Sequence, residues 1–141
     1  MDVSHFQDDI LKNQQRWQKK PILRTIYRGF HEEIAKQLST LEQPLVVELG
    51  SGIGNIKDVI PHALRTDLFP NPWLDQTENA YKLSFDDGTV SDLILFDVFH
   101  KVPRNRRDIG SIQGGQFHQS TLKHLFESHG KWKWHFEKNE T

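Results

Sequence analysis

The residues best equipped for chemistry are one glycine-rich turn and two later carboxylates. Glu48-Leu49-Gly50-Ser51-Gly52-Ile53-Gly54 places glycines on alternate positions, with an acid two residues ahead of the first. Glycine accepts φ > 0 and lets a ligand approach the main chain without meeting a Cβ. A helix beginning near Asn55 turns free backbone N–H groups towards that ligand. Asp67 ends Ala63-Leu64-Arg65-Thr66-Asp67, and Asp97 ends Val90-Ser91-Asp92-Leu93-Ile94-Leu95-Phe96-Asp97. A carboxylate at the exit of a strand beside a glycine turn accepts hydrogen bonds from ribose hydroxyls in Rossmann-like sites. The spacing is G-x-G-x-G and not the G-x-G-x-x-G of dinucleotide folds, which disfavours NAD-dependent oxidoreduction. A glycine turn alone is a weak signal, because a tight strand-to-helix turn needs glycine for structural reasons. Asp67 also has a plain alternative as the cap of a turn before Phe69-Pro70-Asn71-Pro72.

These groups need strands to deliver them. Leu45–Leu49 is a short, β-branched apolar run and predicts a buried strand. Ala63–Asp67 and Val90–Asp97 predict two more, parallel to the first, so that their carboxylates exit beside the glycine turn. The helix after the turn is short, because Pro61 stops it. Residues 68–79 predict a loop, Ala80–Leu83 a short strand or turn, and Asp86-Asp87-Gly88 a turn. Upstream, residues 5–19 are polar and helix-compatible. Pro21 suits the first turn of a second helix, whose apolar stripe is Leu23, Ile26, Tyr27, Phe30, Ile34 and Leu38. Lys12, Arg16, Lys19, Lys20, Arg24 and Arg28 make this region basic around Trp17, either as a solvated helix face or as a binding surface.

With 141 residues the chain predicts one domain over 1–141, divided into a helical cap (1–40), a cofactor-binding core (41–100) and an atypical, shortened end (101–141). The net charge of −1 gives no general argument for nucleic acid. The absence of cysteine excludes disulfides, thiolate chemistry and cysteine-type zinc sites. No apolar stretch approaches the roughly 20 residues of a membrane span. The acidic N-terminus lacks an apolar signal-peptide core, so a cytoplasmic protein is expected. Of the eight histidines, His118, His124 and His129 are spaced by six and five. That spacing does not place ligands on one helix face, and no metal site is predicted. Lys101, Arg104, Arg106 and Arg107, with Trp132 and Trp134, contain no recognised RNA motif and predict a solvated loop.

Residues 15–101 resemble small bacterial class I S-adenosylmethionine (SAM) methyltransferases of the methyltransferase-11 type. The matching pieces are Arg16-Trp17-Gln18-Lys19-Lys20-Pro21, Glu48–Asn55, Thr66-Asp67, Pro72-Trp73-Leu74-Asp75, Leu83-Ser84-Phe85 and Phe96-Asp97-Val98-Phe99-His100. The resemblance implies an α/β, Rossmann-like sheet of seven strands, N-terminal helices that cap the pocket, and SAM as cofactor. It also implies methyl transfer to a small-molecule or saccharide-like acceptor. By position, Glu48, Gly50, Gly52 and Gly54 hold the methionine end and Asp67 the ribose, with Ser51 and Leu68 completing the set. Asn79 and Ala80 lie at the adenine, where similar proteins usually have an acid; Asn79 keeps a carbonyl acceptor but loses the charge-assisted bond. Phe96 and Asp97 close the site beneath the sulfonium, and His100 is the candidate general base, although a loop histidine without a role fits equally.

Beyond His100 the resemblance fades, and the sheet is expected to be incomplete or compacted at that end. Ser111–Phe117 faintly echoes the family's later glycine turn. Thr121–Ser128 predicts a helix with Leu122, Leu125 and Phe126 on one face. Lys131–Phe136 alternates strictly and predicts a strand adding to the sheet beyond Leu93–Asp97; apolar surface left uncovered favours a homodimer or a marginally stable monomer. Either an internally deleted methyltransferase or a compact homologue fits this pattern. Two functions therefore follow: an active methyltransferase, or a catalytically silent SAM-fold module acting through binding or partner contacts.

Overall fold

The computed structural model describes residues 3–80, 82–86, 89–96 and 117–126, the last as backbone alone. The centre is β1 (Val46–Leu49), buried at every position. A strand buried on both faces must be apolar on both, and its residues divide accordingly. Val47 and Leu49 pack with Leu83, Val90, Leu93 and Leu95 on one face. Val46 packs with Ile34, Ile56, Ile60, Ala63, Ile94 and Phe96 on the other.

Around β1 lie β2 (Leu64–Asp67), β3 (Gln76–Thr77), β4 (Val90–Phe96) and β5 (Phe117–Phe126), in the order β3-β2-β1-β4-β5. Every pair is parallel. β1 pairs with β2 through Val47–Leu64 and Glu48–Arg65, and with β4 from Val46–Asp92 to Leu49–Leu95. Strand order reverses at β1. The connection from β1 to β2 carries a single 3-10 turn, η1 (Asn55–Asp58), whose Ile56 packs on the second face. The connection from β3 to β4 lays Ala80, Leu83 and Phe85 against the first. In open α/β sheets such a reversal opens a crevice at the carboxyl ends of the strands, and the glycine turn sits there.

Two helices precede the sheet, α1 (Val3–Lys19) and α2 (Pro21–Ala35), with Lys20 between them. Pro21 occupies the first turn of α2, where a missing N–H is harmless. The last carbonyls of α1 have no helical partner of their own. Arg24 supplies one, its Nη1 donating to the carbonyls of Trp17 (2.7 Å) and Gln18 (3.0 Å). α2 buries His31 and Ile34, with Tyr27, Phe30 and Leu38 packed alongside. Ile26, expected in the apolar stripe, is 45% exposed; His31 takes the inward place, beside the Phe96 ring at 5.7 Å. After α2, Ser39 ties the chain to the sheet, donating from its N–H (2.9 Å) and hydroxyl (2.6 Å) to the buried Asp92 carboxylate.

Several expectations need correction. The element after the glycine turn is one 3-10 turn and not an α-helix, and the loop over 68–79 contains the edge strand β3. Residues 121–126, expected in a helix, belong to β5, paired with β4 from Asp92–Leu122 to Phe96–Phe126. A short apolar run satisfies helix and strand templates alike, and here the edge of β4 decides. β5 thus holds the place beside β4 that was expected for Lys131–Phe136; that segment lies outside the described residues. Five strands are described, where the resemblance implied seven. Among the described residues no helix is long and apolar enough to cross a membrane.

Candidate functional site

The glycine turn has the left-handed backbone its sequence demands, with φ of 69° at Gly50, 54° at Gly52 and 69° at Gly54. The glycines differ in surroundings. A Cβ at Gly54 would lie 2.6 Å from the Trp73 carbonyl oxygen and 2.7 Å from the Arg65 Cδ, so this glycine serves packing. A Cβ at Gly52 would meet only the Ile10 Cδ1, at 4.0 Å. Gly52 therefore faces open space covered by one side chain of α1, and Ile10 is 6% exposed there. Phe6, one turn earlier, stacks on Phe69 at 5.0 Å, so α1 lies over the turn and over the loop that follows β2.

Asp67 sits where parallel pairing puts it, beside the turn. One carboxylate oxygen accepts the Gly52 N–H (3.1 Å) and the other the Leu68 N–H (2.8 Å). A carboxylate has about four acceptor positions, so these bonds orient Asp67 and leave capacity for hydroxyl donors. The next loop is fastened to the same turn. Asn71 donates from Nδ2 to the Gly52 carbonyl (3.0 Å) and accepts the Trp73 N–H (2.9 Å). Asp75 then accepts from the Arg65 Nε (3.0 Å), Nη2 (3.1 Å) and N–H (2.8 Å), and from Lys57 (3.0 Å). These donors hold its carboxyl well below the usual range.

Glu48 and Ser51 lie beneath the turn. Glu48 is 4% exposed. The Ser51 hydroxyl donates to the Glu48 Oε2 (2.7 Å) and accepts the Thr66 N–H (3.0 Å), while the Thr66 hydroxyl donates to the Glu48 carbonyl (2.7 Å). Burial pushes the Glu48 carboxyl up to about 7; the Ser51 bond opposes this, Asp67 adds to it and Arg65 opposes it. Glu48 thus anchors the turn from inside.

The remaining predicted residues are dispersed. Leu68 is 54% exposed. Asn79 is exposed and its carbonyl accepts the Lys82 N–H (2.9 Å), while Ala80 packs against the first core face. Phe96 is a core side chain, its ring 5.5 Å from Tyr27 and 5.4 Å from Phe30. Asp97 and His100 lie outside the described residues. The sequence reading missed Glu78, a buried acid next to Asn79. Its carboxylate accepts from the Gln76 Nε2 (2.5 Å), the Ser84 N–H (2.9 Å) and the Ser84 hydroxyl. The displaced acid beside Asn79 was the available signal. Asn71 was missed too, although an asparagine between two prolines suggests a side-chain-bonded turn. Among the described residues no group of His, Cys, Asp or Glu could hold a metal ion.

These parts, a parallel sheet with a glycine turn at its strand-order reversal and a carboxylate bonded to that turn, define an α/β protein of the methyltransferase type of Rossmann-like fold. Solved structures support that assignment of fold. A protein assigned as a methyltransferase of an antibiotic biosynthesis pathway in Anabaena variabilis superposes with a TM-score of 0.50 at 16% identity, over 70% of this chain and 44% of that one. The methyltransferase in a Haloferax volcanii complex with the Trm112 methyltransferase activator superposes with a TM-score of 0.51 at 16% identity, over 68% of this chain and 51% of that one. The chain therefore spans about half the length of these neighbours. No protein-family model and no curated protein matches the sequence.

Proposed function

We propose that the chain binds SAM over the glycine turn and directs methyl transfer to a small-molecule acceptor. The observation that carries this reading is the bond from the Gly52 N–H to Asp67 at the strand-order reversal. It joins a ribose-type acceptor to a main-chain surface that lacks a Cβ. The residues fit the cofactor at two points: the open face of Gly52, and the spare lone pairs of Asp67. In this reading the main chain at Gly50 and Gly52 holds the methionine end, with Ser51 and Gly54 keeping the turn in shape. Glu48 takes the ammonium group in its ionised form. Asp67 and Leu68 serve the ribose, Asn79 and Ala80 the adenine, and Asp97 the sulfonium side.

SAM supplies an electrophilic methyl group. The chain's own part is alignment and exclusion of water, for which Ile10 of α1 already covers Gly52 while Phe6 packs on Phe69 of the following loop. His100 takes the proton of an acceptor hydroxyl or amine. A second reading is a SAM-binding module without turnover of its own, acting through partner contacts. One neighbour was solved with an activator protein, so a partner-dependent methyltransferase belongs to this second reading.

Calorimetric titration with S-adenosylhomocysteine, with NAD as control, tests the site. Binding of the first alone is expected, weakened by about 1.5–3 kcal/mol in Asp67→Ala, the scale of hydrogen bonds to a charged group. Equal affinity in that variant removes Asp67 from the site. Transfer of a labelled methyl group into a cell-extract metabolite fraction then separates turnover from silent binding.

A further inference from the structure

A cavity lies at the elbow between α1 and α2, beside Asn55, the residue that follows Gly54 at the start of η1. Its volume is about 280 Å³, and its walls include Trp17, Arg24, Arg28, His31, Asn55 and Asp58 but none of Gly50, Ser51, Gly52 or Asp67. Drug-sized ligand pockets run roughly 300–1,000 Å³, so this one suits a small molecule.

Its polar groups are specific. His31 is 2% exposed, and its Nε2 meets no hydrogen-bonding partner among the described residues. That nitrogen lies too deep for a molecule in the cleft to touch, so the His31 ring acts as a wall of the cleft. Burial lowers the His31 pKa to about 4, with the Asp58 charge opposing. Arg24 and Arg28 stand one helical turn apart on α2. Arg24 is fixed at the rim by its bonds to the α1 carbonyls, which leave several of its five N–H donors for a ligand. Trp17 forms an aromatic wall, itself held edge-on by Tyr27 at 5.6 Å. Asp58 repels an anion on its own side and accepts from a hydroxyl or amine.

We propose that this cleft is a second small-molecule site, taking a compact aromatic acid that also carries a hydroxyl or amino group. The carboxylate meets Arg28 and the free N–H groups of Arg24, the ring lies against Trp17, and the polar substituent reaches Asp58. Guanidinium and carboxylate geometries match in two parallel bonds, and a flat ring beside indole adds an apolar contact. The site stands independently of the cofactor reading, since the two share no residue named for either.

The test is calorimetric titration of the full chain with 4-hydroxybenzoate, with benzoate and phenol as controls, repeated in Arg28→Gln. Arg28 is exposed, so its replacement leaves the fold in place. Saturable binding is expected, at least tenfold weaker for Arg28→Gln, for benzoate and for phenol. Side-chain nitrogen NMR of the unaltered protein provides a second readout. The Trp17 indole N–H, assigned by its loss in Trp17→Phe, should shift as 4-hydroxybenzoate is added. No binding by about 10 mM, where any interaction is weaker than roughly 3 kcal/mol, overturns the proposal. So does equal affinity in Arg28→Gln or an unmoved Trp17 resonance. Displacement of 4-hydroxybenzoate by S-adenosylhomocysteine would instead make the cleft part of the cofactor site and overturn its separateness. Failure of S-adenosylhomocysteine to bind at all leaves the 4-hydroxybenzoate outcome as it is and counts only against the cofactor reading.

Discussion

Replacing Glu48 by glutamine should alter how stability responds to pH while leaving the fold intact. The glutamine carbonyl can accept the same Ser51 hydroxyl bond that the Glu48 Oε2 accepts at 2.7 Å. What is lost is a titration. Glu48 has an ordinary value of 4.5 and is pushed up to about 7 by burial. Between these values the unfolded chain gives up the proton and the folded chain keeps it. Native protein then binds more protons than unfolded protein, so stability falls as pH rises through this window and levels off above 7. At about 1.4 kcal/mol per pH unit the whole effect is about 3 kcal/mol.

His31 works in the opposite direction. Its ordinary value of 6.5 is lowered to about 4. Its contribution is complete above 6.5 and is lost as pH falls towards 4, because the unfolded chain takes up a proton that the buried ring refuses. From pH 4.5 to 6.5 the two slopes oppose each other and nearly cancel. In Glu48→Gln only the His31 slope remains, and stability should climb with pH by roughly 2–3 kcal/mol over that interval relative to the unaltered protein. Urea unfolding followed by far-ultraviolet circular dichroism, at half-unit steps from pH 4 to 8, measures the difference. Other titrating groups contribute nearly equally to both proteins and drop out. A difference independent of pH would refute the reasoning, since it would mean that Glu48 titrates alike in the folded and unfolded chains.

Substitutions at four further positions test what holds the site and the sheet. Gly54→Ala should destabilise by about 2–4 kcal/mol, since its Cβ adds a clash with Trp73 and Arg65 to the strain of a left-handed φ; Gly52→Ala should cost only about 1–2 kcal/mol, the strain alone, and urea midpoints of the pair give the comparison. Asp92→Ala should cost about 2–4 kcal/mol by stranding the Ser39 N–H and hydroxyl, seen as a lower midpoint that Asp92→Asn partly restores. Asp75→Ala releases Arg65 and Lys57; these pairs are partly solvated, so a loss of about 1 kcal/mol is expected, with faster amide exchange over residues 71–77 as the local readout.

The fold was legible where apolar runs are long and bounded. β1 and β4 emerged from Leu45–Leu49 and Val90–Asp97 because strands buried on both faces have few polar positions. α2 emerged from its stripe, although the stripe put Ile26 inward and omitted His31. A histidine is polar in a periodicity count, yet among Tyr27 and Phe96 it packs as a flat ring. Two elements were not legible for a shared reason. β3 is two residues long, too short for any period. Leu122, Leu125 and Phe126 fit a helical face, and only the open edge of β4, more than twenty residues away in the chain, draws that segment into a strand. Pairing with a distant edge has no local signature.

The site divides in the same way, and its three glycines explain why. Their alternate spacing forecasts a left-handed turn, and the φ values carry that through. The spacing is silent on what each glycine is for. Gly54 is required by the Trp73 carbonyl and by Arg65, both distant from it in the chain. Gly52 is required by its backbone alone and keeps a free face under Ile10. Glu48 illustrates the converse. Its position two residues before the glycines suggested a group turned towards a ligand. The structure also bonds it to Ser51 and Thr66 beneath the turn, where burial raises its pKa to about 7. A bound ammonium group beside that carboxyl would favour the charged form. Cofactor binding near pH 7 would then release a proton from Glu48, an effect that buffer-dependent heats of S-adenosylhomocysteine titration would register and that Glu48→Gln would abolish.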